Sequence, residues 1–405
     1  TRLWVHIADV SRFVAAGGAI DREAARRGNS VYVPGRVVPM LPPRLSADLC
    51  SLRPGADRAA LTAELVVGPD GSVHETRFSR TLIRSERRLT YPEVDAFLGG
   101  GGLGDDGLEA DLERLAAVAR SLRERRMRRG ALEAHSGEPV VRFDGERVAS
   151  MHVEGQTPAH SLVEECMIAA NEAVARYLID RGTPTVFRHH DDPAESRVKL
   201  LYEQLEELEV ATPPAPDGPM SPTQRRETAA AAAEAVARHI AGGGRGGEAL
   251  WSLVLRSLRQ AHYSPAEVGH SGLASPAYLH FTSPIRRYPD LLVHRGLLDA
   301  LGLGDPGPAA AELAQAAEHC SGTERDAAKV ERRADDICAA FLLADILARR
   351  GGESAVSGRV TGVIDAGLFL EFDEVFTGFL PSRTLDDDHY RADALGVALV
   401  GERSG

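Results

Sequence analysis

The chain opens on a strict alternation of apolar and polar positions. Leu3, Val5 and Ile7 share one face and Trp4 and His6 the other, which predicts a strand buried on its aliphatic side. Asp21 to Arg27 reads as a short helix, and Ser30–Gly35 and Val37–Pro42 as short extended pieces punctuated by Pro and Gly. Leu61–Val67 and Val73–Ile83 predict a hairpin around Pro69-Asp70-Gly71-Ser72. Residues 91–135 read as helical, interrupted at Gly99–Gly102. Residues 160–181 carry a broad apolar side of Leu162, Cys166, Ile168, Ala169, Ala173, Tyr177 and Leu178, the mark of an amphipathic helix. After a loop at Pro213–Pro216 and Pro219, helices are predicted at 223–241 and 248–260, and one long or two abutting helices at 313–349. From Ser354 the pattern changes to short strands with Gly turns, at 356–360, 367–372 and 377–380, so a domain boundary is expected near Gly351-Gly352. The predicted fold class is α+β: a mixed sheet core surrounded by helices, then β-barrel strands.

Composition narrows this only slightly. A chain of 405 residues, 43% apolar and 26% charged, is an ordinary globular composition with room for ~two to four domains. It excludes a disordered or collagen-like chain. No stretch approaches the ~18 uncharged apolar residues of a membrane span. Cys50, Cys166, Cys320 and Cys338 are scattered without CxxC spacing, which argues against a zinc ribbon or disulfide framework and fits a reducing cytoplasm. The net charge of −12 gives no global case for nucleic-acid binding, although a basic channel can sit locally in an acidic protein. Thr1–Val10 lacks Met and lies already inside a strand pattern, and Gly401–Gly405 has no closing element. Both ends are therefore expected to be internal to a longer protein.

The densest chemistry lies in His280-Phe281-Thr282-Ser283-Pro284-Ile285-Arg286-Arg287-Tyr288-Pro289-Asp290-Leu291. Ser283 before Pro284 reads as one helix start and Pro289-Asp290 as another, with Arg286 and Arg287 between them. Helix N-termini and guanidinium forks suit a phosphate or carboxylate. Glu324-Arg325 recurs seven residues later as Glu331-Arg332, placing two Glu–Arg units on one helix stripe, either a salt-bridged solvated face or a site wall. Tyr32 lies between Pro- and Gly-rich turns, where it can pack as core or stack on a base. Arg120, Arg123, Arg125, Arg126, Arg128 and Arg129 read as a solvated face with partners such as Glu124, or as a phosphate-facing stripe. His189-His190-Asp191-Asp192 is a weak metal candidate, because adjacent histidines of an extended stretch point opposite ways. Asp386-Asp387-Asp388 reads as a charged loop. The GxGxxG matches at Gly99, Gly101 and Gly104 and at Gly242, Gly244 and Gly247 fall in glycine-rich runs outside any βαβ unit and read as linkers.

Taken together, Trp4–Val10, Tyr32–Ser51, Arg129–Leu132, Glu164–Asn171, Phe187–His189, His270–Leu273, His280–Arg295 and Glu324–Arg333 resemble, in order, the RNB catalytic domain of the ribonuclease II / ribonuclease R family, the bacterial ribonuclease R type above all. The resemblance covers residues 1 to about 350; residues 354–405 resemble the start of that type's C-terminal RNA-binding OB fold, too short here for a closed barrel. It implies an exoribonuclease, a hydrolase that degrades single-stranded RNA processively from 3′ to 5′ into nucleoside 5′-monophosphates. It further implies divalent metal, normally Mg²⁺. By position, Tyr32 matches the residue that stacks on the 3′ base. Arg286 matches the arginine that holds the scissile phosphate, and Glu331 a helix carboxylate near the 3′ end.

Two departures matter. The family's four clustered, metal-holding aspartates belong just before the WVHIADV strand, where this chain begins; Asp9 is one carboxylate, so no metal ligand set is assigned to this chain. The family often carries a base-clamping aromatic soon after RGAL, whereas Leu132-Glu133-Ala134 has none. This chain alone is therefore expected to be inactive, a cytoplasmic, monomeric, RNA-binding part of the enzyme. The rivals are a non-catalytic RNA-binding pseudonuclease module and a phosphate-ester hydrolase with a metal site at His189–Asp192.

Overall fold

A computed structural model describes residues 1–132, 137–304, 306–350, 355–385 and 388–404. In chain order its elements are β1 (Arg2–Ala8), α1 (Ala19–Arg27), β2 (Val31–Val33), β3 (Arg36–Val38), β4 (Asp57–Val67), β5 (Val73–Arg84), α2 (Tyr91–Leu98), α3 (Asp106–Arg128), β6 (Glu138–Asp144), β7 (Arg147–Glu154), α4 (Pro158–Asp180) and β8 (Phe187–His189). They continue with α5 (Glu195–Glu207), α6 (Pro222–Ala241), α7 (Gly247–Ser257), β9 (His262–Ser264), α8 (Tyr288–Ala300), α9 (Ala310–Arg350), β10 (Gly358–Ile364), β11 (Gly367–Phe372), β12 (Phe376–Pro381), β13 (Tyr390–Ala392) and β14 (Leu399–Gly401). The class is α+β, as the hydrophobic pattern predicts. These elements fall into two compact units: Thr1–Ala131 with Gln156–Asp191 and Ala261–Glu331, and Leu132–Gly155 with Asp192–Gln260 and Arg332–Gly405.

The first unit is built on the antiparallel sheet β1-β4-β5. Alternation sends Leu3, Leu61, Ala63, Leu65 and Phe78 to its inner face, where they meet Val118 and Leu122 of α3, Ala170, Val174 and Leu178 of α4, Phe281, and Val293 and Leu297 of α8. The β4–β5 turn requires glycine: Gly71 has φ +77°, and a Cβ there would strike the Ser121 carbonyl of α3. A second core joins Met40, Leu41 and Leu45 to Tyr263, Tyr288, Leu291, Leu313 and Cys320. Local signals set the helix starts. Thr90 and Glu93 form a reciprocal capping box on α2, and Thr157-Pro158 opens α4.

The second unit packs α5, α6 and α7 around Leu201, Leu205, Ala232, Val236 and Trp251. Ser221 and Gln224 cap α6 reciprocally, with Pro222 in its first turn. The predicted C-terminal strands form an open sheet, β10-β11-β12, beside which β13 and β14 make a separate hairpin; no barrel closes among the described residues. Asp388 accepts from the Ser404 hydroxyl and from the backbone N–H groups of His389, Arg403 and Ser404, so it staples a turn; burial raises its pKa, but these bonds, the hydroxyl's first, bring it down to about 2. Asp386 and Asp387, the Gly351-Gly352 boundary and Glu133-Ala134 lie outside the described residues.

Five histidines crowd one region of the first unit. His189 packs edge-on against His262, His190 lies 5.0 Å from His270, and His280 sits between Tyr263 and Tyr278. Burial, reinforced by His190 and Arg188, lowers the His270 pKa to about 3, and burial with Arg287 and Arg188 pushes His280 well below its usual value. The unfolded chain takes up protons near 6.5 that the folded chain refuses. The stability these neutral rings contribute is complete above that value and drains away as pH falls toward 3. Each refused proton is worth up to about 1.4 kcal/mol per pH unit. The urea midpoint is expected to drop between about pH 7.5 and pH 5, less steeply in His270→Gln. A flat profile in the wild type would contradict neutral burial.

Candidate functional site

Tyr32, Arg286 and Glu331 come from three distant segments of the first unit, and backbone hydrogen bonds knit them together. α1 ends at Gly28, whose φ of +70° is a left-handed turn. A Cβ on Gly28 would overlap the Thr323 side chain of α9, so only glycine lets α9 lie this close. From there the chain runs antiparallel to the 286–288 segment. Tyr288 N donates to Gly28 O at 2.8 Å, and Ser30 N donates to Arg286 O at 3.0 Å. Two residues on, Tyr32 N donates to Glu331 Oε1 at 2.7 Å. The hairpin of β2 and β3 then leaves the Tyr32 ring 46% exposed, so it is a ring available for stacking and not part of the core.

The two adjacent arginines take opposite roles. The sequence suggests two helix starts at 283–290, but only one forms. Ser283–Arg287 is a single turn, closed by bonds from Arg286 N and Arg287 N to Ser283 O, and the helix begins at Tyr288. The Ser-Pro signal loses to Asp290, which is fully buried and accepts from Ser283 N at 2.6 Å and from Arg287 Nε and Nη2 at 2.8 Å each. Burial opposes the Arg287 charge, but Asp290 prevails and raises its pKa. Arg287 is thus a structural brace. Arg286, next along the turn, is exposed, and among the described residues no group accepts a hydrogen bond from its guanidinium. One charge is engaged inside the fold and the other stays exposed.

Both glutamates of the α9 stripe are engaged by partners far away in sequence. Glu324 accepts from Arg188 Nη1 at 2.6 Å, and Arg188 lies over the Tyr263 ring at 4.8 Å. Both stripe carboxylates therefore turn inward, Glu324 to β8 and Glu331 to β2. The spacing was readable; the direction was not, because it depends on partners far away in sequence.

The metal candidates fare differently. Asp9 is buried and engaged, accepting from Ser11 Oγ and from Arg80 Nε at 2.7 Å. His189 bonds Gly269 O and Asp191, His190 Nδ1 accepts from Gly272 N, and Asp192 pairs with Arg226. No group of three or more His, Cys, Asp or Glu among the described residues is arranged to hold a cation. Among the described residues these carboxylates and imidazoles are engaged with protein partners and are not gathered into one ligand set. The arginine run of α3 is divided: Arg126 is buried against Glu165, Arg129 pairs with Glu172, and Arg128 faces Glu124 at the surface. The four thiols are free, and burial pushes Cys166 and Cys320 up to about 12, so these two are inert packing groups. Among the described residues no helix is long and apolar enough to cross a membrane.

Comparison with known proteins gives the same direction. The family model described as the RNB domain matches residues 1–302. Ribonuclease R of Escherichia coli (strain K12) is 36% identical over 424 residues, covering 100% of this chain and 50% of the relative. Ribonuclease R of Aquifex aeolicus (strain VF5) is 37% identical over 418 residues, covering 100% and 56%. The chain thus spans about half the length of the curated relatives it matches. Mycoplasma genitalium RNase R in complex with ribose methylated single-stranded RNA superposes with a TM-score of 0.88 at 27% identity, covering 100% of this chain and 62% of that one.

Proposed function

Because the chain belongs to the RNB-domain family, we propose that the intact protein is a 3′→5′ exoribonuclease that hydrolyses single-stranded RNA processively to nucleoside 5′-monophosphates. In this reading residues 1–350 form the catalytic domain and 354–405 the start of an RNA-binding OB fold. The protein acts in the cytoplasm as a monomer, with Mg²⁺ held mainly by carboxylates upstream of Thr1. Within this chain the chemistry is capture and charge stabilisation. Arg286 takes the scissile phosphate, where a preorganised guanidinium offsets the charge that builds on the phosphoryl oxygens. Tyr32 stacks on the 3′-terminal base, a contact that tolerates any sequence, as a general degrader needs. Glu331 fixes the backbone of Tyr32 and lies beside the same terminus.

The observation that carries this reading is the coupling of an exposed ring to an uncommitted guanidinium through Ser30 N–Arg286 O and Tyr32 N–Glu331 Oε1. An RNA ending in 3′ 2-aminopurine tests it. Binding is expected to quench the base, and Tyr32→Ala to abolish the quench and weaken binding by about 1–3 kcal/mol, while Tyr32→Phe keeps both. Undiminished quenching in Tyr32→Ala would place the terminal base elsewhere.

A further inference from the structure

We propose that the cleft between the C-terminal turn of α3 and the middle of α4 is a second ligand site, one that binds a tetrahedral oxyanion of the phosphate class. It shares no residue with the Tyr32–Arg286–Glu331 site. The cleft has a volume of about 60 Å³, and Arg125, Arg126, Arg129 and Arg176 line it against two carboxylates, Glu165 and Glu172. A single water needs about 10–15 Å³ of such space, so there is room for a larger occupant. Its roof is the β4–β5 turn, held against α3 at Gly71, where no side chain fits.

The four arginines are not equally spent. Arg126 is buried and donates to Glu165, with Nε 3.1 Å from Oε1. Arg125 reaches Asp70 at 3.6 Å. Arg129 donates through Nη2 to Glu172 at 2.8 Å, but its Nε is buried and finds no acceptor among the described residues. Native proteins rarely leave a buried donor unpaired, and an ion or water is the usual resolution. Arg176 follows Glu172 by one helical turn, is exposed, and among the described residues has no acceptor. The dipole at the C-terminus of α3 accounts for basic residues in its last turn, since cations are favoured there. It gives Arg129 Nε nothing to bond. One tetrahedral oxyanion does, because its oxygens diverge and can accept from Arg129 Nε and from the Arg176 fork together.

The phosphate can be a free ion or a backbone phosphate of bound RNA, and two arms separate them. In the first, the 405-residue chain is titrated with inorganic phosphate against chloride at matched ionic strength, and its melting temperature is followed. Saturable stabilisation is expected, with apparent affinity at least tenfold weaker in Arg176→Gln and in Arg129→Lys, which keeps the charge but loses Nε. In the second, RNA affinity is measured across salt concentrations. A salt slope smaller by about one in Arg176→Gln identifies an RNA phosphate, and an unchanged slope identifies free phosphate. Phosphate behaving as chloride does, or both variants binding it like the wild type, would overturn the site.

Discussion

Replacing Arg286 by alanine in the intact protein is expected to lower RNA turnover by roughly 10²–10³-fold while weakening RNA affinity far less. The asymmetry follows from the scissile-phosphate contact proposed for the guanidinium. RNA is held along many phosphates and by stacking, so one cation is a small part of ground-state binding. Charge on the scissile phosphoryl group grows only as the bond breaks, and there a pre-aimed fork has its largest effect. Arg286→Lys restores the charge without the planar pair of donors and should recover only part of the loss. Single-turnover rates and anisotropy titrations on the same variants separate the two quantities. Equal losses in both would mean that Arg286 binds RNA uniformly and has no special role at the reacting phosphate.

Asp290→Ala is expected to cost about 3–5 kcal/mol of stability, although Asp290 itself is fully buried and offers nothing to a ligand. The carboxylate is fully buried and takes three hydrogen bonds, from Ser283 N and from two nitrogens of Arg287. Removing it strands the Arg287 charge inside the fold and opens the turn that presents Arg286. Removing both charges, as in Asp290→Ala with Arg287→Met, leaves no stranded cation and should regain more than half of the lost stability. It should not regain activity, because the Ser283–Arg287 turn still lacks its clasp. Thermal and urea melts of the two variants decide this. A single variant as stable as the wild type would remove the brace assigned to Asp290.

Much of this architecture is legible in the sequence because it is local. The alternation of Leu3, Val5 and Ile7, the Pro69–Ser72 turn and the apolar side of α4 each encode their own element, and each is found where the pattern puts it. The stretch 313–349 resolves into one continuous helix, α9. The hairpin of β6 and β7 is marked in the sequence only by Asp144-Gly145 at its tip, a turn signal with Gly145 at φ +61°. The strands β8 and β9 have three residues each, too short to carry a period. The second helix start expected at Ser283 failed for a tertiary reason: Asp290 takes the Ser283 amide and holds a turn in its place. For the site, the sequence singles out Tyr32, Arg286 and Glu331 as residue types. The family resemblance picks Arg286, but no local pattern says that Arg287 is the buried one of the two, nor that Glu331 meets the Tyr32 backbone across 299 residues of chain. Those facts depend on packing that no local pattern encodes.

The most direct test is to incubate 5′-labelled single-stranded RNA with the 405-residue chain and Mg²⁺ or Mn²⁺, and to score one gel for retardation and for laddering. The expected result is retardation without a ladder, lost when Tyr32 and Arg286 are both replaced by alanine. An intact protein carrying the upstream carboxylates should convert the same RNA into a ladder shortening from its 3′ end; retardation there without a ladder would leave an RNA-binding module in place of a nuclease. Absence of retardation by the 405-residue chain, or retardation untouched by the double substitution, would contradict the RNA site built on Tyr32, Arg286 and Glu331.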